Sequence, residues 1–310
     1  MAFRHRVFKT MDRRGFRFLL SLLGSLLKSA RYRRPCWIAY RDGVWIHRHP
    51  DGSLVEPRIS LWTIAALGRL TSDHFMYAYT PGPGDVVVDV GAGSGCDTLA
   101  FARQVGPTGL VIAVEAHPLM FRCLQEMCRL NRLDNVLAVH AAVGPSDGDV
   151  LISDTDDYQA NHLTASRRGQ TVPGFTLDSI VKRLGLNRID LLKMNIEGAE
   201  GPALAGMTRT IEMTHHVAIS CHDFLADWGK EEAFRTRRAV EEFLALHGFQ
   251  LRPRADSREW VRDCVYADWT GIEQGDAAGG QAARAARKSD PVVRKVTARR
   301  SRLLKPPARG

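Results

Sequence analysis

Two stretches of this 310-residue chain combine residue types at spacings that could do chemistry. The first is Asp89-Val90-Gly91-Ala92-Gly93-Ser94-Gly95, immediately behind the apolar run 86–90. A glycine turn at the carboxyl end of a strand lets backbone approach a ligand closely, and the helix expected from Cys96 starts with unpaired N–H groups. Nucleotide-type ligands bind at such a point. The dinucleotide fingerprint is G-x-G-x-x-G; Gly91 and Gly93 fill its first two positions, but the third falls on Cys96. That glycine allows close helix–strand packing around a pyrophosphate. Its absence, with Gly95 added, moves the turn away from NAD and toward S-adenosylmethionine, which has no pyrophosphate and a charged methionine part that needs a wider turn.

The next strand-like run ends at Glu115, 22 residues after Gly93. An acid at that tip can accept both ribose hydroxyls, which fits either cofactor. His117-Pro118 opens a helix, proline being favoured in a first turn. Ala141-Ala142 follow the third strand, where small residues leave room for a flat adenine ring. The second chemical stretch is Ile189-Asp190-Leu191-Leu192-Lys193-Met194-Asn195-Ile196-Glu197-Gly198-Ala199-Glu200, an apolar strand ending in polar residues. Further on, Ser220-Cys221-His222-Asp223-Phe224 ends a fifth strand; His222 could take a proton, with Asp223 or another acid orienting it, or could simply cap the strand end. Glu197 is a base candidate that could instead bind Lys193 or cap the next helix. Asp154, Asp156, Asp157, Asn161 and His162 form an acidic loop suited to substrate or a divalent cation, but aspartates this close are more often a solvated turn, and no metal is assigned.

The elements that must position these groups alternate. Strand-like runs lie at 86–90, 110–114, 136–143, 189–194, 217–220, 249–252 and 264–267, and helical stretches at 96–105, 118–130, 177–184, 199–207 and 231–246. Short apolar strands alternating with amphipathic helices predict an α/β fold with a doubly wound, mostly parallel sheet, closed by a terminal antiparallel strand. Residues 35–80 read as an antiparallel hairpin element followed by a helix, residues 81–270 as the main domain, and 271–310 as a basic disordered tail.

The net charge of +9 is not spread evenly. Residues 1–34 carry ten Lys/Arg and one acid, and residues 276–310 carry ten Lys/Arg and two acids, so the body between them is net acidic. A basic binding face built into the fold is therefore not expected, and nucleic acid is a poor candidate partner. None of the six cysteines is spaced as C-x-x-C, which fits a reducing cytoplasm. Asp12-Arg13-Arg14-Gly15-Phe16 ahead of the apolar run 18–27 resembles a twin-arginine export signal, but the run falls short of the roughly 20 residues that span a bilayer and no clean cleavage site follows. Residues 1–34 read instead as a basic amphipathic arm, lying on a membrane surface or a partner, or capping the domain.

With both motifs in place, residues 70–268 resemble the FkbM family of methyltransferases. The likeness runs from Tyr79 to Asp85, through the glycine turn, Glu115-Ala116-His117-Pro118 and Thr176-Leu177-Asp178, to Leu191–Glu200, whose spacing behind the others is the specific part. The resemblance implies a class I, Rossmann-like methyltransferase that uses S-adenosylmethionine, held by Asp89, Gly91, Ala92, Gly93, Gly95, Glu115, Ala116 and Ala142. It implies methylation of a hydroxyl on a sugar, glycolipid or polyketide-type small molecule. Lys193, Glu197 and Glu200 fall on the family's polar positions, and Asn195 stands where the family usually has Asp. Lys193, Asn195, Glu197 and His222 are the catalytic candidates. Three alternatives stay open: an NAD-dependent oxidoreductase or epimerase, an RNA methyltransferase using the basic tails, and an inactive membrane-surface assembly protein. The expected location is cytoplasmic, with peripheral contact at the inner membrane face open through residues 1–34.

Overall fold

Strand β4 (Val86–Val90) and strand β10 (Ile189–Met194) are buried along their whole lengths, as expected of near-continuous apolar runs covered on both faces. In the computed structural model, which describes residues 16–153 and 169–271, they lie side by side at the centre of a seven-stranded sheet. To one side of β4 follow β5 (Leu110–Glu115) and β6 (Val136–His140), all parallel. To the other side of β10 follow β11 (Thr214–Ser220), β13 (Cys264–Trp269) and β12 (Phe249–Leu251), with only β13 antiparallel. The chain thus winds outward in both directions from the β4–β10 junction. A doubly wound sheet opens a crevice at the carboxyl ends of the strands at that switch point.

Helices α3 (Cys96–Val105) and α4 (Pro118–Asn131) cover one face; α5 (Leu177–Leu184), α6 (Glu200–Leu204) and α8 (Arg237–Leu246) cover the other. A short helix α7 (Asp223–Asp227) follows β11, and α9 (Glu259–Arg262) precedes β13. The first face also carries a three-stranded meander, β1 (Trp37–Arg41), β2 (Val44–His49) and β3 (Gly52–Glu56), and helix α2 (Ile64–His74). Thr63 starts α2 by accepting a hydrogen bond from the Ala66 N–H. Helix α1 (Arg17–Tyr32) packs on the meander.

Two expectations change. The run 136–143 is not one strand: the chain leaves the main sheet after His140, and β7 (Ala142–Val143) joins β8 (Gly148–Ile152) and β9 (Gln170–Phe175) in a separate small sheet. The expected terminal antiparallel strand is present: β13 pairs antiparallel with β12 before it in the chain and, on its other edge, with β11. The stretch 231–246 becomes regular α-helix only from Arg237, where Asp223 accepts the N–H groups of Thr236 and Arg237. The acidic loop 154–162, residues 1–15 of the arm and the tail beyond Gly271 lie outside the described residues.

Candidate active site

A cleft of about 770 Å³ opens at the switch point, within the size range of small-molecule sites. Its floor is the glycine turn. Gly91 has φ +74°, and a Cβ there would sit 1.9 Å from the Asn195 carbonyl oxygen, so β4 and β10 can close only around a glycine. The turn is tied down by its own amides. The Gly91 and Ala92 N–H groups both donate to the Val114 carbonyl (2.9 and 3.0 Å), Gly93 N–H donates to Glu115 Oε2 (2.8 Å), and Gly95 N–H donates to the Ala92 carbonyl (3.0 Å). Glu115 Oε1 accepts the His117 N–H (2.7 Å), so the carboxylate is aimed by two backbone donors. Burial raises the Glu115 pKa, against the pull of those donors.

Beneath the turn lies a buried ion pair. Lys193 Nζ donates to Asp89 Oδ1 and to the Gly91 carbonyl, both at 2.8 Å, and lies 3.7 Å from Asp97 Oδ2. Thr98 donates to the second Asp89 oxygen (2.6 Å). Burial pulls the Lys193 ammonium toward neutrality, but Asp89, Asp97 and Glu115 outweigh it and hold its pKa above the ordinary lysine value. Lys193 and Asp89 are both fully buried and neither lines the cleft, nor does Gly95. The structure therefore places Lys193 as a support of the turn, away from where an acceptor would sit.

Asn195, Glu197 and His222 do meet at the cleft wall. His222 follows β11 and is 4% exposed; its Nδ1 is 3.1 Å from Glu200 Oε1 and its Nε2 is 3.4 Å from Glu197 Oε2. Burial alone would lower its pKa, but the two carboxylates push it to about 10. The two carboxylates thus favour the protonated imidazolium over the neutral ring. The residue that orients it is Glu200, fixed by the Ile196 N–H (3.1 Å) and the Thr236 hydroxyl (3.2 Å). Asp223 instead caps α8. Glu197 pairs with His222, not with Lys193. It sits at φ +54°, a strained conformation for a residue with a Cβ, held where its carboxylate faces the cleft. Asn195 Oδ1 is buried with no hydrogen-bond partner among the described residues.

Ala116 and Ala142 line the cleft and pack against Ile152 of the small sheet, forming an apolar wall opposite the turn. Sequence reasoning missed the remaining wall. Glu56, at the end of β3, lines the cleft and accepts hydrogen bonds from Ser94 (3.0 Å) and Cys96 (3.4 Å). Asp97 lines it from the first turn of α3, accepting from Thr71 of α2 (2.6 Å). Asp97 was legible as an acid two residues past the turn; Glu56 was not, because nothing local ties the meander to the turn. Among the described residues, no group of three His, Cys, Asp or Glu could hold a metal ion.

Residues 89–251, just over half of the chain, match the methyltransferase FkbM domain. No curated protein matches. Among solved structures, the chain is similar to the FkbM methyltransferase of Methylobacillus flagellatus KT, at 19% identity and a TM-score of 0.42, over 59% of this chain and 43% of that one. It thus spans less than half the length of that protein. It is also similar to Aeropyrum pernix fibrillarin in complex with natively bound S-adenosyl-L-methionine (15% identity, TM-score 0.40, 74% of this chain and 96% of that one). A third is a SAM-dependent methyltransferase from Aquifex aeolicus (16% identity, TM-score 0.38, 67% and 99%). The matched domain runs from Asp89 at the glycine turn through the Glu197–Glu200 block to β12, and the chain belongs to the FkbM methyltransferase family.

Proposed function

We propose that the cleft binds S-adenosylmethionine and that the chain transfers its methyl group to a hydroxyl oxygen of a sugar, glycolipid or polyketide-type acceptor. The observation that carries the cofactor reading is the state of the glycine turn. The Gly91, Ala92, Gly93 and Gly95 amides, which a dinucleotide pyrophosphate would need, already donate to the protein. The carboxylates of Glu56, Asp97, Glu115 and Glu197 line the same cleft, favouring a cationic ligand over an anionic one. Both features disfavour an NAD-dependent oxidoreductase.

When bound, the cofactor supplies an electrophilic methyl on a sulfonium. Glu115 would hold the ribose hydroxyls on the lone pairs that Gly93 and His117 leave free. Ala116, Ala142 and Ile152 would bound the adenine on its apolar side. Asn195 and Glu197, on the tip of β10, position the acceptor hydroxyl. Glu197 accepts its proton, with the His222 imidazolium fixing the carboxylate and Glu200 fixing the imidazolium. Lys193 and Asp89 act by holding the turn. The protein works in the cytoplasm.

Titration calorimetry with S-adenosylhomocysteine tests the cofactor site: Glu115→Ala should weaken binding at least about a hundredfold, the scale of two charged hydrogen bonds at about 1.5 kcal/mol or more each. Turnover with labelled S-adenosylmethionine, using an extract from cells lacking the protein as acceptor source, tests the chemistry. Glu197→Gln should lower turnover by about 10²–10⁴ and leave S-adenosylhomocysteine affinity unchanged. Unaltered turnover would remove Glu197 as the base.

A further inference from the structure

Helix α1 is amphipathic in the inverted sense. Its inward positions are Leu20, Gly24 and Lys28, four residues apart on one face. Lys28 is 1% exposed, with Nζ 3.0 Å from His47 Nδ1 and 3.1 Å from His49 Nε2. The outward face holds Phe18, Leu19, Leu22, Leu23, Leu26 and Leu27, all exposed, Phe18 to 80%. A cation buried beneath a solvent-facing leucine ridge is the reverse of a helix whose only task is to cap a domain. An apolar patch continuous over nearly three turns marks a docking face.

Its surroundings select the occupant. From Arg13 to Arg34 the sequence has seven Lys/Arg and no acid, and of these Lys28 is buried. Arg31, Arg33 and Arg34 at the end of the helix are exposed. Two copies packed ridge to ridge would bring these cations together, whereas an anionic lipid surface offers phosphates beside an apolar layer. No described helix is long and apolar enough to cross a membrane, so the ridge lies in the interface.

The ridge is mechanically joined to the cleft. The missing side chain of Gly24 lets α1 sit on Ile38 and on Ile59; a Cβ there would be 2.9 and 3.1 Å from their δ-methyls. Ile59 itself lines the cleft, and Tyr32 at the end of α1 accepts the N–H of Ile64, the first residue of α2. The cleft lining includes Trp62, Leu70 and Trp260, which are 53%, 45% and 49% exposed. Indole rings favour the headgroup level of a bilayer.

We propose that α1 docks on an anionic membrane surface and sets the exposed indole rings of the cleft at headgroup level, so that the acceptor hydroxyl belongs to a membrane-anchored amphiphile. The acceptor half rests on the methyl-transfer reading above; the docking half does not.

Co-sedimentation of the full chain with phosphatidylcholine vesicles containing about 30% phosphatidylglycerol tests docking. Binding should fall at least about tenfold in pure phosphatidylcholine and in the double variant Leu22→Glu/Leu26→Glu. That variant should keep its circular dichroism and S-adenosylhomocysteine affinity, since both leucines face outward. Failure of the wild type to bind anionic vesicles overturns the docking, as does a concentration-dependent dimer that the same variant dissolves. Labelled S-adenosylmethionine with membranes and soluble extract then tests the acceptor. Label should enter the organic-extractable fraction; label confined to water-soluble products overturns the lipid-borne acceptor. Loss of S-adenosylhomocysteine binding in the wild type would instead sink the methyl-transfer reading, leaving the vesicle result to judge docking alone.

Discussion

Replacing Lys193 by methionine removes the cation beneath the glycine turn at nearly constant volume. Asp89 is then left buried with only the Thr98 hydroxyl as donor, and the Gly91 carbonyl loses its 2.8 Å partner. Breaking a buried ion pair on one side costs about 3–5 kcal/mol, because a charge stays behind in a low-dielectric site. A domain of this size loses about 2–4 °C in Tm per kcal/mol, so a fall of roughly 6–20 °C is expected. Burial already holds the Asp89 pKa above the ordinary carboxylate value; without Lys193 it should rise further, so the orphaned carboxyl takes up a proton more readily. Stability from a raised pKa is present at low pH and lost as pH rises through the folded value. The deficit of Lys193→Met should therefore be smaller near about pH 5 than near about pH 8. Urea unfolding at both pH values measures this. Adding Asp89→Asn to Lys193→Met should recover much of the loss, giving a coupling of at least about 2 kcal/mol in the double-mutant cycle. A deficit below about 1 kcal/mol near pH 8, or strictly additive effects, would refute the reading of Lys193 as the support of the turn.

Gly91→Ala places a methyl on the Asn195 carbonyl at a φ that disfavours it, and neither backbone segment can yield without opening the central strand pair. Binding of S-adenosylhomocysteine should be lost by calorimetry, with a drop in thermal midpoint as an independent readout. His222 has a pKa raised from the ordinary histidine value of 6.5 to about 10, so its stabilising pairs are complete below the ordinary value and disappear as pH climbs toward 10. The urea-midpoint advantage of the wild type over His222→Gln should accordingly shrink across that window; an advantage that grows with pH would mean the imidazole is neutral.

Periodicity and local chemistry carried much of the architecture. The runs ending at Val90, Glu115 and Met194 are apolar because both faces of those strands are covered, and that burial is written in consecutive residues. The family is legible for the same reason: the glycine turn and the Lys193–Glu200 block are each local, and their separation along the chain is fixed by the number of βαβ units between them. The conformational demand at Gly91 is equally a property of one residue type.

What the tertiary structure decided are relations between residues far apart in sequence. No local pattern inserts β13 between β11 and β12, or takes β7 out of the main sheet to pair with β9, because strand pairing depends on which edges remain open after packing. The cleft-facing acid Glu56 comes from a meander whose link to the turn is a hydrogen bond across 38 residues. Charge state was the least accessible. His222 reads in sequence as a base or a strand-end cap, and only the convergence of Glu197 and Glu200 on it favours the imidazolium. Asp89 and Lys193 look like cleft residues and prove to be a buried pair beneath it. The sequence determines which groups can ionise or bury; distance and desolvation, set by the fold, determine which of them do.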